Sequence, residues 1–369
     1  MNMKAHRAAP LSTQAAGPQQ ALADPRDAMS APALRLTPRW MPRSMPVKRR
    51  LALAATLACA LMASAGAAGA AIAAAAAAGA GGFVFGVIGH SFSTGGDEAV
   101  LKRAIADANL EKPAFVVATG IKAAGEPCSD RLYAQRKAIL DDSEPPLIVS
   151  LAGSDWSACL NSAGRSDAIE RLNRLREVFF TDGQSLGARR VAVTRLSATA
   201  KFRSYAEYAH WQVGSVLFAT INLPAPNNHY RPEAGRNSEY EDRLVANRAW
   251  LHRLFTLAEQ QKLDGLVLFS DGDVGLQKEQ GFSLLSGFSS KQDGFAEPRK
   301  QLKALAEKFK GKVLLVDAHG AADGASAPTI TWHDNVGHLS LAARAAEVRV
   351  SPGAAVLFTL KDGGAETAP

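Results

Sequence analysis

Apolar runs of strand length alternate with segments of helical periodicity from Phe83 almost to the end of the chain. Near-continuous Val, Ile and Leu runs are typical of strands that are covered on both faces. They predict strands at 83–88, 114–118, 147–151, 213–221, 265–270, 312–317, 345–350 and 355–360. Apolar residues at helical spacing predict helices between them, at 97–109, 167–180, 239–261 and 298–309. The alternation predicts one α/β domain over 83–361, with antiparallel pairing near its end and a flexible tail at 362–369.

The chain before this domain has a different composition. Residues 1–46 are rich in Pro, Ala and Arg without apolar periodicity, which predicts a disordered basic leader. Within 47–82, three basic residues precede a Leu/Ala run and an uncharged Ala/Gly tract, a pattern typical of a secretory signal peptide. We therefore expect an exported protein, periplasmic or secreted. An anchor in the inner membrane is the alternative if the segment is not cleaved, and a start at Met41 or Met45 also stays open.

The net charge of +7 belongs to the leader. Residues 1–50 hold nine Lys or Arg and two Asp, which leaves 33 basic and 33 acidic residues in 51–369. A folded part without net charge gives no reason to expect nucleic-acid binding.

The loops of the domain hold further candidate chemistry. The Gly/Pro/Asn-rich stretch 223–238 predicts a long surface loop, in which Asn227, Asn228 and His229 are candidates for binding a polar ligand. The Asp271-Gly272-Asp273 sequence is interpreted as an Asp-Gly turn, because the spacing after it does not fit a calcium loop. The signal segment is followed by two cysteines, for which a disulfide and two buried free thiols are both open: Cys128 and Cys159.

The order of these segments resembles the calcineurin-like metallophosphoesterases, in particular an exported branch of that superfamily. The resemblance covers nearly all of 83–360, from "FGVIGHSF" and "AFVVATGIKAAGEPCSD" through "PLIVSLAGSDWSAC" to "KVLLVDAHG". Its specific tags are Pro127-Cys128-Ser129-Asp130, Asp155-Trp156 with Cys159, Asn227-Asn228 and Trp250-Leu251. The resemblance implies a four-layer sandwich, two mixed β-sheets flanked by helices. It also implies a Cys128–Cys159 disulfide, since the family carries cysteines at both places.

In that family, two divalent cations clamp a phosphoryl group and activate a water molecule. The ligand motifs at the strand ends are altered here. The first Gly-Asp falls on Gly89-His90, and the second, whose aspartate bridges the cations, falls on Gly120-Ile121. Gly-Asp-Asn-Asp-Trp is shortened to Gly153-Ser154-Asp155-Trp156, in which Asp155 is interpreted as structural. The first histidine of the closing His-Gly-Asp-x-His meets Asp317 or His319, depending on the alignment.

The sequence therefore predicts a phosphoesterase fold that has lost its dinuclear centre and acts by binding an unidentified ligand or protein partner. No catalytic residue is assigned. One alternative is a divergent phosphoesterase with a single divalent metal (Mn, Fe or Zn), for which the residual ligands are His90, Asp271, Asp317 and His319. A His90 satisfied by a backbone hydrogen bond in a turn is the simpler interpretation of that residue. The other alternative is a membrane-anchored structural protein.

Overall fold

The computed structural model describes residues 81–93, 95–231, 237–276, 293–319 and 327–361. All of them lie in the unit that spans residues 63–369. The leader, the signal segment and the tail predicted from the sequence lie outside the described residues. Within the described ranges, no helix has both the length and the apolar composition needed to cross a membrane.

The first sheet has five strands in the order β12-β11-β1-β2-β3. Strands β1, β2 and β3 run parallel, and β11 pairs antiparallel with both β1 and β12. Antiparallel pairing among the last strands was predicted from the sequence and is confirmed. The strands are β1 (Phe83–Ile88), β2 (Val116–Thr119), β3 (Leu147–Ser150), β11 (Ala345–Val350) and β12 (Phe358–Leu360).

The second sheet has seven strands in the order β4-β5-β6-β7-β8-β10-β9. Strands β6, β7, β8 and β10 are parallel neighbours, and antiparallel strands flank them on both sides. Both sheets are therefore mixed. The strands are β4 (Thr194–Arg195), β5 (Ala209–Val213), β6 (Val216–Thr220), β7 (Gly265–Ser270), β8 (Lys312–Asp317), β9 (Ile330–His333) and β10 (Val336–Ser340).

Five α-helices cover the outer faces of the two sheets in the described part of the chain. Ser129 begins one of them by accepting a hydrogen bond from the backbone N–H of Leu132. The helices are α1 (Glu98–Glu111), α2 (Asp130–Asp141), α3 (Ala168–Phe179), α4 (Ser238–Gln260) and α5 (Ala296–Ala306).

Alternating side chains of the strands build three apolar layers. One face of each sheet contributes to a central core rich in aromatic rings, where Phe85 and Phe115 stack at 5.3 Å and Phe218 packs edge-on to both. The opposite face of the first sheet packs on α1, α2 and α3. The opposite face of the second sheet packs on α4 and α5. The order helices, sheet, sheet, helices is the four-layer sandwich.

Candidate functional site

The carboxyl ends of the parallel strands of both sheets meet at one edge of the sandwich, which we call the strand-end edge. The Asp271 carboxylate, after β7, accepts hydrogen bonds from the backbone N–H groups of Gly153 (2.7 Å) and Ala225 (2.8 Å) through one oxygen. Gly153 follows β3 of the first sheet and Ala225 follows β6 of the second. In doubly covered α/β sheets, ligands bind where such strand ends converge.

His90 lies at this edge, directly after β1, and is buried. Its Nε2 lies 2.7 Å from the hydroxyl oxygen of Ser154, which in turn donates to the Lys122 carbonyl at 3.1 Å. Because the single serine proton is used on Lys122, Nε2 of His90 donates to the Ser154 hydroxyl oxygen. Nδ1 has no hydrogen-bond partner among the described residues. The partner of His90 is thus a side chain, where the simpler sequence interpretation expected a backbone group.

Gly120, at the end of β2, packs directly against the His90 ring. Its φ is +72°, and a Cβ added to it would lie 2.6 Å from Cδ2 and 2.7 Å from Nε2 of His90. The next residue, Ile121, has no exposed surface and belongs to the apolar layer between the first sheet and its helices. An imidazole ring and an apolar side chain therefore occupy the strand end at which the resemblance implies a bridging carboxylate.

Asp155 holds the loops after β2 and β3 together. Its two carboxylate oxygens accept hydrogen bonds from the backbone N–H groups of Ala152 (2.7 Å), Ile121 (2.8 Å) and Lys122 (3.2 Å). Complete burial raises the pKa of Asp155 to about 6, against the opposing effects of His90 and the N–H donors. Burial also lowers the pKa of Lys122, whose ammonium group donates to the carbonyls of Ala123 and Ser154. The described partners of the Asp155 carboxylate are backbone N–H groups of two loops, so its role is to hold these loops in place.

A second cluster of polar side chains lies at the ends of β7, β8 and β10. Asp273, Asp317 and His338 each place one ligand atom within 4.8 Å of the others. His338 Nε2 is 2.5 Å from Asp317 Oδ2 and 3.8 Å from Asp273 Oδ1. The other oxygen of Asp317 is oriented by the Ser340 hydroxyl (2.7 Å) and the His319 backbone N–H (2.9 Å). Two carboxylates and an imidazole form a ligand set that suits a divalent cation, and hydrogen bonds that orient a ligand carboxylate are usual at such sites.

Of the four residual metal ligands that the sequence indicated, the structure places only one in a group of potential ligands among the described residues. Asp317 belongs to the Asp273–Asp317–His338 group, whereas His319 contributes a backbone N–H and has an exposed side chain. Asp271 is buried and its Oδ2 is used by two backbone donors, and His90 is paired with Ser154. Burial is the largest influence on the pKa of Asp271 and raises it.

His338 was missed by the sequence analysis. It lies on β10, which has a half-exposed, weakly apolar pattern and was not predicted as a strand. Parallel pairing of β10 with β8 places Ser340 beside Asp317, and His338 two residues earlier on the same face. The only local signal for this placement is the alternation of Val336, His338 and Ser340.

The candidate ligand-binding residues of the 223–238 loop are engaged with the protein. Asn228 is fully buried; its amide donates to the Gly294 carbonyl, and its side-chain oxygen accepts from Arg243. The Asn227 side-chain oxygen accepts from the Gly294 backbone N–H at 2.9 Å. His229 Nδ1 lies 2.9 Å from Glu239, and its ring packs edge-on to Trp156 at 4.7 Å. These contacts tie the loop to α4 and to the start of α5.

The disulfide implied by the resemblance is present. Cys128 and Cys159 are bonded, with their Cα atoms 5.8 Å apart, and link the loop before α2 to the loop after β3. The link lies one residue before Ser129, the cap of α2, and four residues after Asp155. It therefore reinforces the same two loops that Asp155 joins.

No protein-family profile and no curated protein matches the chain. Among solved structures, a dimetal phosphatase from Danio rerio is similar at 12% identity and a TM-score of 0.46, over 76% of this chain and 98% of that one. A phosphatase from Mycoplasma pneumoniae is similar at 9% identity and a TM-score of 0.37, over 73% and 88% of the two chains. A glutamine-dependent NAD+ synthetase from Acinetobacter baumannii has 11% identity and a TM-score of 0.36, over 78% and 48%.

The topology of the chain itself identifies its architecture. Two mixed sheets pack face to face, helices cover both outer faces, and the carboxyl ends of the parallel strands meet at one edge. This is the α/β sandwich that the resemblance to calcineurin-like metallophosphoesterases implies.

Proposed function

We propose that this chain is an exported metallophosphoesterase-fold protein without two-metal hydrolytic activity, which acts by binding a ligand or partner. The observation that carries the proposal is the filled end of β2, where the His90 ring packs on Gly120 and Ile121 is buried in the apolar layer. Two cations about 4 Å apart repel each other strongly, so a bridging carboxylate is needed to hold them. The residue directly after Gly120 is Ile121, which offers no carboxylate.

The strand-end polar groups support the same proposal. Asp155 and Asp271 are at the right edge to approach a cation, but together they accept five hydrogen bonds from backbone N–H groups. Freeing either carboxylate would leave buried donors without acceptors, which costs about 1–3 kcal/mol each. These carboxylates thus stabilise loops.

Export is the part of the proposal that concerns location. It is supported by the Cys128–Cys159 disulfide, because disulfides persist in oxidising compartments and are rare in the cytosol. The signal-like segment at 47–82 is the second support. N-terminal sequencing of the protein recovered from fractionated cells tests this part: a first residue between 63 and 83 is expected. An uncleaved chain in the membrane fraction would indicate the anchored alternative, and an uncleaved chain in the cytosol would contradict export.

Metal content and hydrolysis together test the loss of two-metal chemistry. The full chain is equilibrated with Mn²⁺ or Zn²⁺, separated from free metal, and assayed with bis(4-nitrophenyl) phosphate and 4-nitrophenyl phosphate. We expect fewer than two cations per chain and no turnover that depends on His90. Two bound cations with turnover that is lost in His90→Ala, but kept in the exposed helix variant His252→Ala, would overturn the proposal.

A single-metal phosphoesterase is the second candidate, and the Asp273–Asp317–His338 group is the observation that favours it. Those side chains would hold one divalent cation, which polarises a phosphoryl oxygen when bound. The same assay separates this candidate from the first. Turnover with one cation per chain, lost in His338→Ala and unchanged in His252→Ala, would establish it, whereas cation binding without turnover is compatible only with the first.

A further inference from the structure

A cavity of about 850 Å³ opens at the edge opposite to the strand-end edge. It lies at the amino ends of β7 and β8, between the residues that follow α4, those that follow α5, and the β11–β12 connection. Its volume falls in the range of roughly 300–1,000 Å³ that is usual for small-ligand sites. We call it the amino-end cavity. Its main side chains are Lys262, Leu263, Lys308, Phe309, Lys310 and Leu357.

The amino-end cavity is lined by four lysines and two acidic residues. Among the described residues, Lys262, Lys308 and Lys310 make no side-chain hydrogen bond or ion pair, and all three are exposed. Lys312 donates to the Asp334 carbonyl at 3.3 Å, and the Asp264 carboxylate accepts from the Ser215 hydroxyl. Because residues 51–369 carry equal numbers of basic and acidic groups, this excess of lysine is local.

The lysines are not needed as hydrogen-bond donors to the last carbonyl groups of α4 and α5. Lysine after a helix commonly interacts with its last carbonyl groups. Here the Asn335 amide takes that role at α5, donating to the carbonyls of Ala306 (2.8 Å), Phe309 (2.9 Å) and Gly311 (3.2 Å). After α4, backbone N–H groups of residues 261–263 bond the carbonyls of Leu257, Glu259 and Ala258. The ammonium groups are therefore available to a ligand.

The wall below the lysines is apolar. Leu263, Phe309 and Leu357 line the cavity, and each is largely buried in the protein. Ala354 and Ala355, which are small and exposed, line the cavity as well. Apolar walls with a few convergent charged groups are typical of sites that bind an amphipathic small molecule.

We propose that the amino-end cavity binds a small anionic ligand with an apolar body, a carboxylate or phosphate monoester attached to a hydrocarbon or aromatic group. The lysines pair with the anion, and the Leu263–Phe309–Leu357 wall buries the apolar body. This inference goes beyond the proposed function, since it concerns the other edge of the sheet and holds whether or not the strand-end edge hydrolyses a phosphate ester.

Calorimetric titration of the full chain with octyl phosphate, octanoate and octan-1-ol tests the site. We expect both anions to bind more tightly than the alcohol, and their ranking tells a phosphate ligand from a carboxylate ligand. In Lys308→Gln/Lys310→Gln the dissociation constant of the tighter anion should rise about tenfold or more, the order expected for a lost charge-assisted hydrogen bond. The matched control is Lys300→Gln/Lys303→Gln, which removes the same charge from α5 outside the cavity.

A second variant tests the cavity without changing its charge. Ala354→Trp should fill the space and weaken both anions, while near-ultraviolet circular dichroism verifies that the variant is folded. Anions that bind no better than octan-1-ol would overturn the proposal. Equal weakening by the Lys308/Lys310 pair and the Lys300/Lys303 pair would overturn it as well, because the effect would then be one of general charge.

Discussion

At the scale of single residues, Gly120 and His90 form a pair in which each residue limits the other. Gly120→Ala places a methyl group against the imidazole and a side chain at φ +72°. We expect a loss of about 2–4 kcal/mol in the free energy of unfolding, from overpacking and from the left-handed backbone together. Adding His90→Ala should restore the part of the free energy of unfolding that is lost through overpacking. A double-mutant cycle measured by urea unfolding should therefore give a coupling energy of about 1–3 kcal/mol.

Gly164 provides the matched control for this pair. It has the same φ of +72°, but a Cβ there would meet nothing within 4 Å. Gly164→Ala should therefore cost only the backbone part, about 1–2 kcal/mol. Equal losses at Gly120 and Gly164, or zero coupling between Gly120 and His90, would show that the ring does not occupy the end of β2.

The buried carboxyl group of Asp155 makes the stability of the protein depend on pH. Because burial raises its folded-state pKa to about 6, above the ordinary value of 3.8, the folded state binds the proton more tightly than the unfolded state does. The stability due to this difference is complete below about pH 4 and is lost as the pH rises through about 6. Relative to Asp155→Asn, the wild type should thus lose about 1–3 kcal/mol between pH 4 and pH 7. Urea unfolding at several pH values measures both curves, and parallel curves would contradict the assignment.

At the scale of elements, the Cys128–Cys159 disulfide joins the loops before α2 and after β3. It spans 31 residues of sequence, and cross-links of this kind typically stabilise by about 2–4 kcal/mol. Dithiothreitol should lower the free energy of unfolding by this amount and reduce protection from hydrogen exchange first in α2. The Cys128→Ser/Cys159→Ser variant should have the lower stability already and should not respond to dithiothreitol. A response of equal size in that variant would assign the effect to another thiol.

Strands that consist of a continuous apolar run were predictable from the sequence. Strands whose position depends on pairing with a neighbouring strand were not. The bounds of β1, β7 and β8 agree with the sequence prediction, since burial on both faces requires an unbroken apolar run. The strand predicted at 213–221 is present as β6, but it begins at Val216, because Gly214, with φ +57°, turns the chain between β5 and β6. Strands β9 and β10 are half exposed and show no such run.

The same contrast holds for the candidate site. Asp317 was indicated by the resemblance to the closing His-Gly-Asp-x-His motif, and it ends a buried strand, which is a local property. Its grouping with His338 depends on the pairing of β10 with β8, which the alternation along β10 alone does not determine. The internal use of Asp155 and Asp271 is likewise set by backbone N–H groups of distant loops, so their identities alone do not reveal it.

At the scale of the whole molecule, β7 and β8 connect the two candidate sites. Each strand begins beside the amino-end cavity and ends beside the Asp273–Asp317–His338 group. A six-residue strand spans about 20 Å, which exceeds the Debye length of about 8 Å at physiological ionic strength. Both strands are buried between layers, so direct electrostatics and packing give little reason for coupling between the edges.

We therefore expect the two sites to bind independently. The dissociation constant of octyl phosphate should change less than about twofold when Mn²⁺ is added or when His338 is replaced by Ala, since a coupling free energy near zero leaves affinities unchanged. By reciprocity, octyl phosphate should leave the affinity for Mn²⁺ unchanged to the same extent. Lys308→Gln/Lys310→Gln should leave it unchanged as well, because the two lysines are about 20 Å from the Asp273–Asp317–His338 group. Calorimetric titrations of each ligand with and without the other measure both effects. A tenfold shift in either affinity, mirrored in the other, would show that the two sites are coupled and would contradict this prediction.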